Sequence, residues 1–192
     1  TTPAGKSATV TGGTYGWSID EDTELVNLQN SILNGEVVTR EPAYYAGGTA
    51  AAHSGQDWGN TYAEVDMSAQ HMWYVQNGQV VLETDVVTGE PIPSKITPEG
   101  VYSLMWKQPN SVLVGDINPD TGEPAYRTKV KYWMQVTSSG VGFHDATWQT
   151  AFGGTLYQIP GTGSHGCINM PLDQAGALFN MIEPGTPVIF HW

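Results

Sequence analysis

One cysteine in 192 residues sets the strongest limit on this chain. No intramolecular disulfide is available, so any fold must be held by its own core and hydrogen bonds. Cys167 also sits in an unusual place, the run Gly163-Ser164-His165-Gly166-Cys167-Ile168-Asn169. A free cysteine is most often a small buried core residue. Its neighbours here point elsewhere. A thiol becomes a good nucleophile only as a thiolate, which needs a nearby base or positive charge. His165 is adjacent in the run, and His144 stands 23 residues upstream in Gly142-Phe143-His144-Asp145. Gly166 lets the backbone approach a substrate closely. Backbone N–H groups around Gly166 and Cys167 are then candidates for an oxyanion site, and a Cys–His ion pair is expected to make the thiol reactive below its ordinary pKa.

Composition narrows the function classes. Seven Lys and Arg stand against nineteen Asp and Glu, a net charge of −12. Nucleic-acid binding needs a basic surface, and adhesion to anionic lipid does too, so both are disfavoured. No stretch reaches the roughly 18 apolar residues of a membrane span. Metal binding by His144, His165 and Cys167 is also disfavoured, because a structural zinc site draws four ligands, often from paired cysteines. No His-Glu-x-x-His occurs, and no cofactor motif is present. A papain-like arrangement is disfavoured by order, since here the histidine precedes the cysteine.

The run Ser164-His165-Gly166-Cys167-Ile168-Asn169, with Phe143-His144-Asp145 before it, resembles the signature of the L,D-transpeptidase catalytic domain of bacterial cell-wall enzymes. The resemblance covers residues 62–192. It implies a mainly β fold, a β-sandwich catalytic domain with a C-terminal helix. It implies Cys167 as nucleophile and His144 as base, oriented by the main-chain carbonyl of Asp145 or by its side chain. Ser164, His165 and Gly166 would shape the oxyanion and leaving-group side. Tyr126 and Trp148, the latter one helical turn's spacing after His144, look like aromatic walls of the family's cleft, and Asn169 would hold the loop. Many members carry arginine where this chain has Asn169, and glycine where it has Asp145. Asn169 looks like the variant of Gram-positive relatives.

The implied reaction takes peptidoglycan stem peptides through a cysteine thioester, releases D-alanine and forms 3→3-type cross-links. L,D-carboxypeptidase action on the same site, or a non-catalytic wall-binding module, are the alternatives. Carbapenem-type β-lactams are the implied inhibitors. The resemblance also implies a monomer without cofactor, and a longer, exported, membrane-anchored parent acting at the extracellular face of the cell envelope and contributing to cell shape.

Along the chain, residues 1–60 read as a small α+β unit, resembling the end of a peptidoglycan-binding-type domain; a plain extension packed on the catalytic domain is the other reading. Residues 61–192 read as the catalytic domain. Ser7–Thr11, Tyr15–Ile19 and Val37–Thr39 look like strands. Acidic Asp20-Glu21-Asp22-Glu24 opens a helix with Leu25, Leu28 and Ile32 on one face. Ala46-Gly47-Gly48 and Ser54-Gly55 are loop signals. Tyr44, Tyr45 and Trp58 are candidates for stacking on sugars.

In the second unit, Glu64–Ser68 alternates as a half-buried strand does. Met72–Val75 and Val80–Val87 form a hairpin about Asn77-Gly78. Gly100–Trp106 is a strand, residues 107–126 a long turn-rich lid, and Tyr132–Val136 a strand. Arg127, Lys129 and Lys131 alternate along one strand face. They are three of the seven cations, and none follows them. Pro171–Ile182 is a helix with Ala175, Leu178, Phe179 and Ile182 on one side, and Val188–Phe190 closes the chain.

Overall fold

The structure is a computed structural model that describes residues 1–16, 18–45 and 58–192. The loop signals at 46–48 and 54–55 lie outside the described residues. The chain forms two compact units, Tyr15–Trp58 and a larger one joining Thr1–Thr14 to Gly59–Trp192.

The smaller unit holds strands β1 (Ser18–Ile19) and β2 (Tyr44–Tyr45), paired antiparallel, and helix α1 (Glu21–Leu33). Asp20 caps α1 by accepting from the Thr23 N–H, and the acidic first turn suits the positive end of the helix dipole. Arg40, through a paired hydrogen bond, and then the Ala43 N–H hold the Glu24 carboxyl down at about 2. The apolar stripe expected on this helix is present, but no residue of α1 is buried and Leu25, Leu28 and Ile32 are exposed. Val37–Thr39 is not a strand.

The first fourteen residues belong with the larger unit rather than with an N-terminal domain of residues 1–60. Ser7–Thr11 forms no strand there. A single bridge joins Gly13 to Val101, and the Thr14 N–H donates to the Val101 carbonyl.

In the larger unit two sheets sandwich one core. Strands β3 (Tyr62–Asp66), β4 (His71–Gln76), β5 (Gln79–Asp85), β6 (Gly100–Ser103) and β11 (Pro187–His191) make one sheet, ordered β5-β4-β3-β11-β6. Strands β7 (Trp106–Val114), β8 (Arg127–Gln135), β9 (Gly142–Asp145) and β10 (Ile168–Met170) make the other, ordered β10-β9-β8-β7. The chain changes sheets at Leu104-Met105. Helix α2 (Leu172–Met181) packs Ala175 and Leu178 into the core with Phe143, Ile168, Met170 and Phe190. Phe143 and Phe190, one from each sheet, meet with ring centroids 6.0 Å apart.

Two expectations fail for reasons of topology. β3 alternates in sequence yet is buried along its whole length, because β4 and β11 flank it on both sides. Its acids therefore need partners: Glu64 meets His191, and Asp66 accepts from the Ala69 N–H. The long lid expected over residues 107–126 is strand over its first eight residues, since β7 pairs with β8 from Trp106 to Val114. Pro109 sits within it, which an edge strand tolerates. Only residues 115–126 form a loop, closed on itself by the Asn118 N–H to Glu123 carbonyl and Gly122 N–H to Asn118 carbonyl bonds.

Candidate active site

The second sheet aligns the chemistry. β9 lies between β8 and β10, with His144 opposite Trp133 on one side and Asn169 on the other. Cys167 precedes Asn169 by two residues, so the period of a strand puts its side chain on the face of Asn169 and His144. Cys167 and His144 both line one cavity of 460 Å³. His165, Tyr126 and Trp148 line it too, with the Tyr126 and His165 rings 5.0 Å apart and the Trp148 ring 5.8 Å from that of His144. Trp148 reaches this position from a turn after β9, not from a helix; the Gln149 N–H closes it onto the Ala146 carbonyl.

His144 is buried, and its Nδ1 lies 3.0 Å from the carbonyl oxygen of Asp145. A carbonyl only accepts, so Nδ1 carries the proton and Nε2 is left with its lone pair. Burial lowers the pKa of His144, against opposing pulls from that carbonyl and from the Asp145 charge. The imidazole therefore rests neutral, in the tautomer of a base. The Asp145 carboxylate does not orient it. Its Oδ1 accepts from the backbone N–H groups of Lys131 and Tyr132, each at 2.8 Å, and so ties β9 to β8.

Burial pushes the Cys167 thiol up to about 11, with the Gly142 N–H opposing. Its hydrogen-bond partner is the Gly140 carbonyl at 3.5 Å. Both shifts favour a neutral thiol beside a neutral imidazole at rest, where the motif suggested an ion pair. A low-dielectric pocket penalises two separated charges, and among the described residues no cation stands against the sulfur to hold a thiolate.

The loop before Cys167 is fixed from several sides. The Ser164 hydroxyl donates to the Cys167 carbonyl and accepts from the Gly166 N–H at 3.0 Å. Ser164 thus braces the loop, and it also lines the cavity that holds Cys167 and His144. It also removes the Gly166 N–H from the expected oxyanion site, which leaves the N–H groups of Cys167 and His165, without hydrogen-bond partners among the described residues. Gly166 has φ +119°, where a side chain is strained, and its carbonyl accepts from the Thr97 hydroxyl at 2.8 Å. Asn169 is buried and donates to the Gln149 side chain, which in turn donates to the Thr162 carbonyl.

Gln149 and Trp133 carried no sequence signal that singled them out. Trp133 is buried with its ring 6.0 Å from that of His144. Among the described residues no group of three His, Cys, Asp or Glu side chains is placed to hold a metal.

The model of the L,D-transpeptidase catalytic domain matches residues 60–190. The chain belongs to this family. L,D-transpeptidase 1 of Mycobacterium tuberculosis is 30% identical over 126 residues, 64% of this chain and 47% of that protein. The chain spans less than half the length of the mycobacterial relatives it matches. A crystal structure of a mutant Enterococcus faecium L,D-transpeptidase superposes with a TM-score of 0.76 at 43% identity, covering 99% of this chain and 71% of the other. The solution structure of the E. faecium catalytic domain acylated by ertapenem gives a TM-score of 0.58 at 46% identity, covering 68% and 96%. The mainly β sandwich with its C-terminal helix is thus the L,D-transpeptidase fold.

A second cavity, of 400 Å³, also reaches Cys167. It runs along the β7–β8 ribbon and is lined by Trp106, Gln108, Val112, Val114, Trp133 and Gln135 among others. Cys167, Tyr126 and Leu113 are common to both cavities.

Proposed function

We propose that this chain is a peptidoglycan L,D-transpeptidase acting through a thioester on Cys167. One observation carries the reading: the thiol stands where two separate cavities meet. A hydrolase needs one organic substrate and water. An acyl transferase must bring a donor and an acceptor to the same atom, and two approaches suit that task.

The first cavity, which contains His144, takes the tetrapeptide donor. As Cys167 Sγ bonds to the carbonyl carbon of the L,D peptide bond, the thiol proton passes to His144 Nε2. The oxyanion is met by the N–H groups of Cys167 and His165. Collapse breaks the C–N bond, and His144 returns the proton to the departing D-alanine amine. An acceptor amine then enters by the second cavity, loses a proton to His144 and expels the thiolate as thiol, which forms the 3→3-type cross-link. Keeping both groups neutral at rest suits this cycle, because charge appears only when substrate excludes water.

The ertapenem-acylated E. faecium domain supports carbapenem acylation of Cys167. The chain acts as a monomer at the extracellular face of the cell envelope. Product analysis with a disaccharide-tetrapeptide tests the reading, with wild type beside Cys167→Ala. A cross-linked dimer with D-alanine release, absent in the variant, is the expected result. D-Alanine with tripeptide alone would make the chain an L,D-carboxypeptidase.

A further inference from the structure

The chain holds seven Lys and Arg residues against nineteen acids, so every cation has acids to spare. Four of the seven are paired: Lys6 with Asp66, Arg40 with Glu24, Lys95 with Glu90 and Lys107 with Glu183. The other three are Arg127, Lys129 and Lys131. They make no ion pair among the described residues, although Asp116, Asp120 and Glu123 lie in the adjoining loop. All three are exposed and successive on one face of β8.

That face is the floor of the second cavity. In the β7–β8 register, Arg127 lies opposite Val114, Lys129 opposite Val112, Trp133 opposite Gln108 and Gln135 opposite Trp106. Residues directly opposite share a face. Apart from the two cations, every residue in these pairs lines the cavity that ends at Cys167, and Lys131, between Lys129 and Trp133 on β8, shares their face by the strand's period of two. The cations therefore continue the same surface outward from the thiol, spaced roughly 7 Å apart along the strand. Val112 and Val114, both about half exposed, alternate with them across the ribbon. Three like charges held together repel, and despite abundant acids elsewhere in the chain no ion pair among the described residues relieves them.

We propose that Arg127, Lys129 and Lys131 form the recognition surface for carboxylate groups borne by the acceptor peptide, with Val112 and Val114 receiving its aliphatic carbons. This rests on the acyl-transfer reading, in which the acceptor enters by the second cavity. The chemistry selects the ligand: a chain of net charge −12 repels acidic peptides over most of its surface and offers free cations only along this approach. The cations guide the acceptor and select among acceptors; they touch no reacting atom.

The test uses the whole chain with Arg127, Lys129 and Lys131 all changed to Gln. Their side chains make no ion pair or hydrogen bond within the described fold, so the variant folds, and relieving the repulsion keeps its melting temperature at or above wild type. Acylation rate with a carbapenem and D-alanine release from the donor stay at wild-type values. With an acceptor peptide bearing free carboxylates, the acceptor KM rises about tenfold, the sum of three modest exposed ion pairs. With the same acceptor fully amidated, wild type and variant have equal KM. For wild type alone, added salt raises the KM of the carboxylate acceptor and not of the amide.

Equal acceptor KM for wild type and variant with the carboxylate peptide overturns the proposal. So does a parallel fall in acylation, which would assign the cations to the donor. Unchanged acceptor kinetics with lost retention on a phosphate-rich polymer would assign the face to that polymer and overturn it too. If wild type is acylated yet transfers to neither acceptor, the transferase reading fails first and this proposal falls with it.

Discussion

Two buried histidines in this protein meet opposite fates. His144 and His191 are both almost wholly removed from solvent, and both use Nδ1 on a backbone carbonyl. They differ in what faces Nε2. His144 Nε2 has no hydrogen-bond partner among the described residues, and burial lowers its pKa. His191 Nε2 lies 2.9 Å from the buried Glu64 carboxylate. Burial pulls His191 down as well, but the Glu64 hydrogen bond, the Trp192 carbonyl and the charges of Glu64 and Asp66 together outweigh it, and the pKa rises. Burial alone shifts a histidine towards the neutral base; burial beside a carboxylate shifts it towards the cation. The site has the first kind, and β3 and β11 are joined by the second.

The largest expected effect comes from removing the base. His144→Gln keeps the ring's volume roughly and loses the proton acceptor, so carbapenem acylation of Cys167 falls about 10²–10⁴-fold, as for loss of a general base. Intact-protein mass against time reads it. Alkylation by a small reagent reports the other half of the claim. In wild type its rate climbs with a midpoint near 11, and His144→Gln leaves that midpoint in place. A midpoint well below the ordinary thiol value that returns upward in the variant would restore the ion pair and sink the neutral resting state.

Breaking the second histidine's partner comes next. Glu64→Gln removes one member of a buried pair and costs about 3–5 kcal/mol of stability, measured by urea unfolding, with acylation of the surviving folded protein unchanged. The pH dependence separates the two histidines by sign. His191 has a raised folded pKa, so its contribution is full below the unfolded histidine pKa of about 6.5 and fades as pH rises through the folded value. His144 has a lowered folded pKa, so its contribution is full above about 6.5 and fades as pH falls. Glu64→Gln should flatten the alkaline slope, and His144→Gln the acid one. Either variant flattening the opposite slope would mean the assignments are exchanged.

This contrast also shows what the sequence could and could not reveal. Motifs that act locally were legible. Asn77-Gly78 turns β4 into β5, the stretch after Pro171 forms α2, and the Ser164–Asn169 run marks the loop carrying the nucleophile. Features set by which strands become neighbours were not. Glu64 alternates with apolar residues as an exposed position would, and only the parallel pairing of β3 with β11 buries it against His191, 127 residues away. Residues 107–114 are rich in polar residues and carry a proline, so they read as loop, until β8 supplies a partner strand. The ionisation balance was illegible for the same reason: His144 and Cys167 look like an ion pair by type, and burial works against both charges.

The smallest expected effect tests which atom of Asp145 matters. Its main-chain oxygen orients His144, while its carboxylate binds two N–H groups of β8. Asp145→Asn keeps the backbone carbonyl and one acceptor oxygen but loses the charge, so the side-chain bonds weaken from charge-assisted to neutral. About 1 kcal/mol of stability should go with them, read by thermal or urea unfolding. Acylation should change by no more than roughly threefold, since the groups that set the imidazole's tautomer are untouched. A fall in acylation as deep as that of His144→Gln, in a variant still folded, would mean that the carboxylate charge itself drives proton transfer. Any residue at this position supplies the same main-chain oxygen, while the carboxylate here serves the join between β8 and β9.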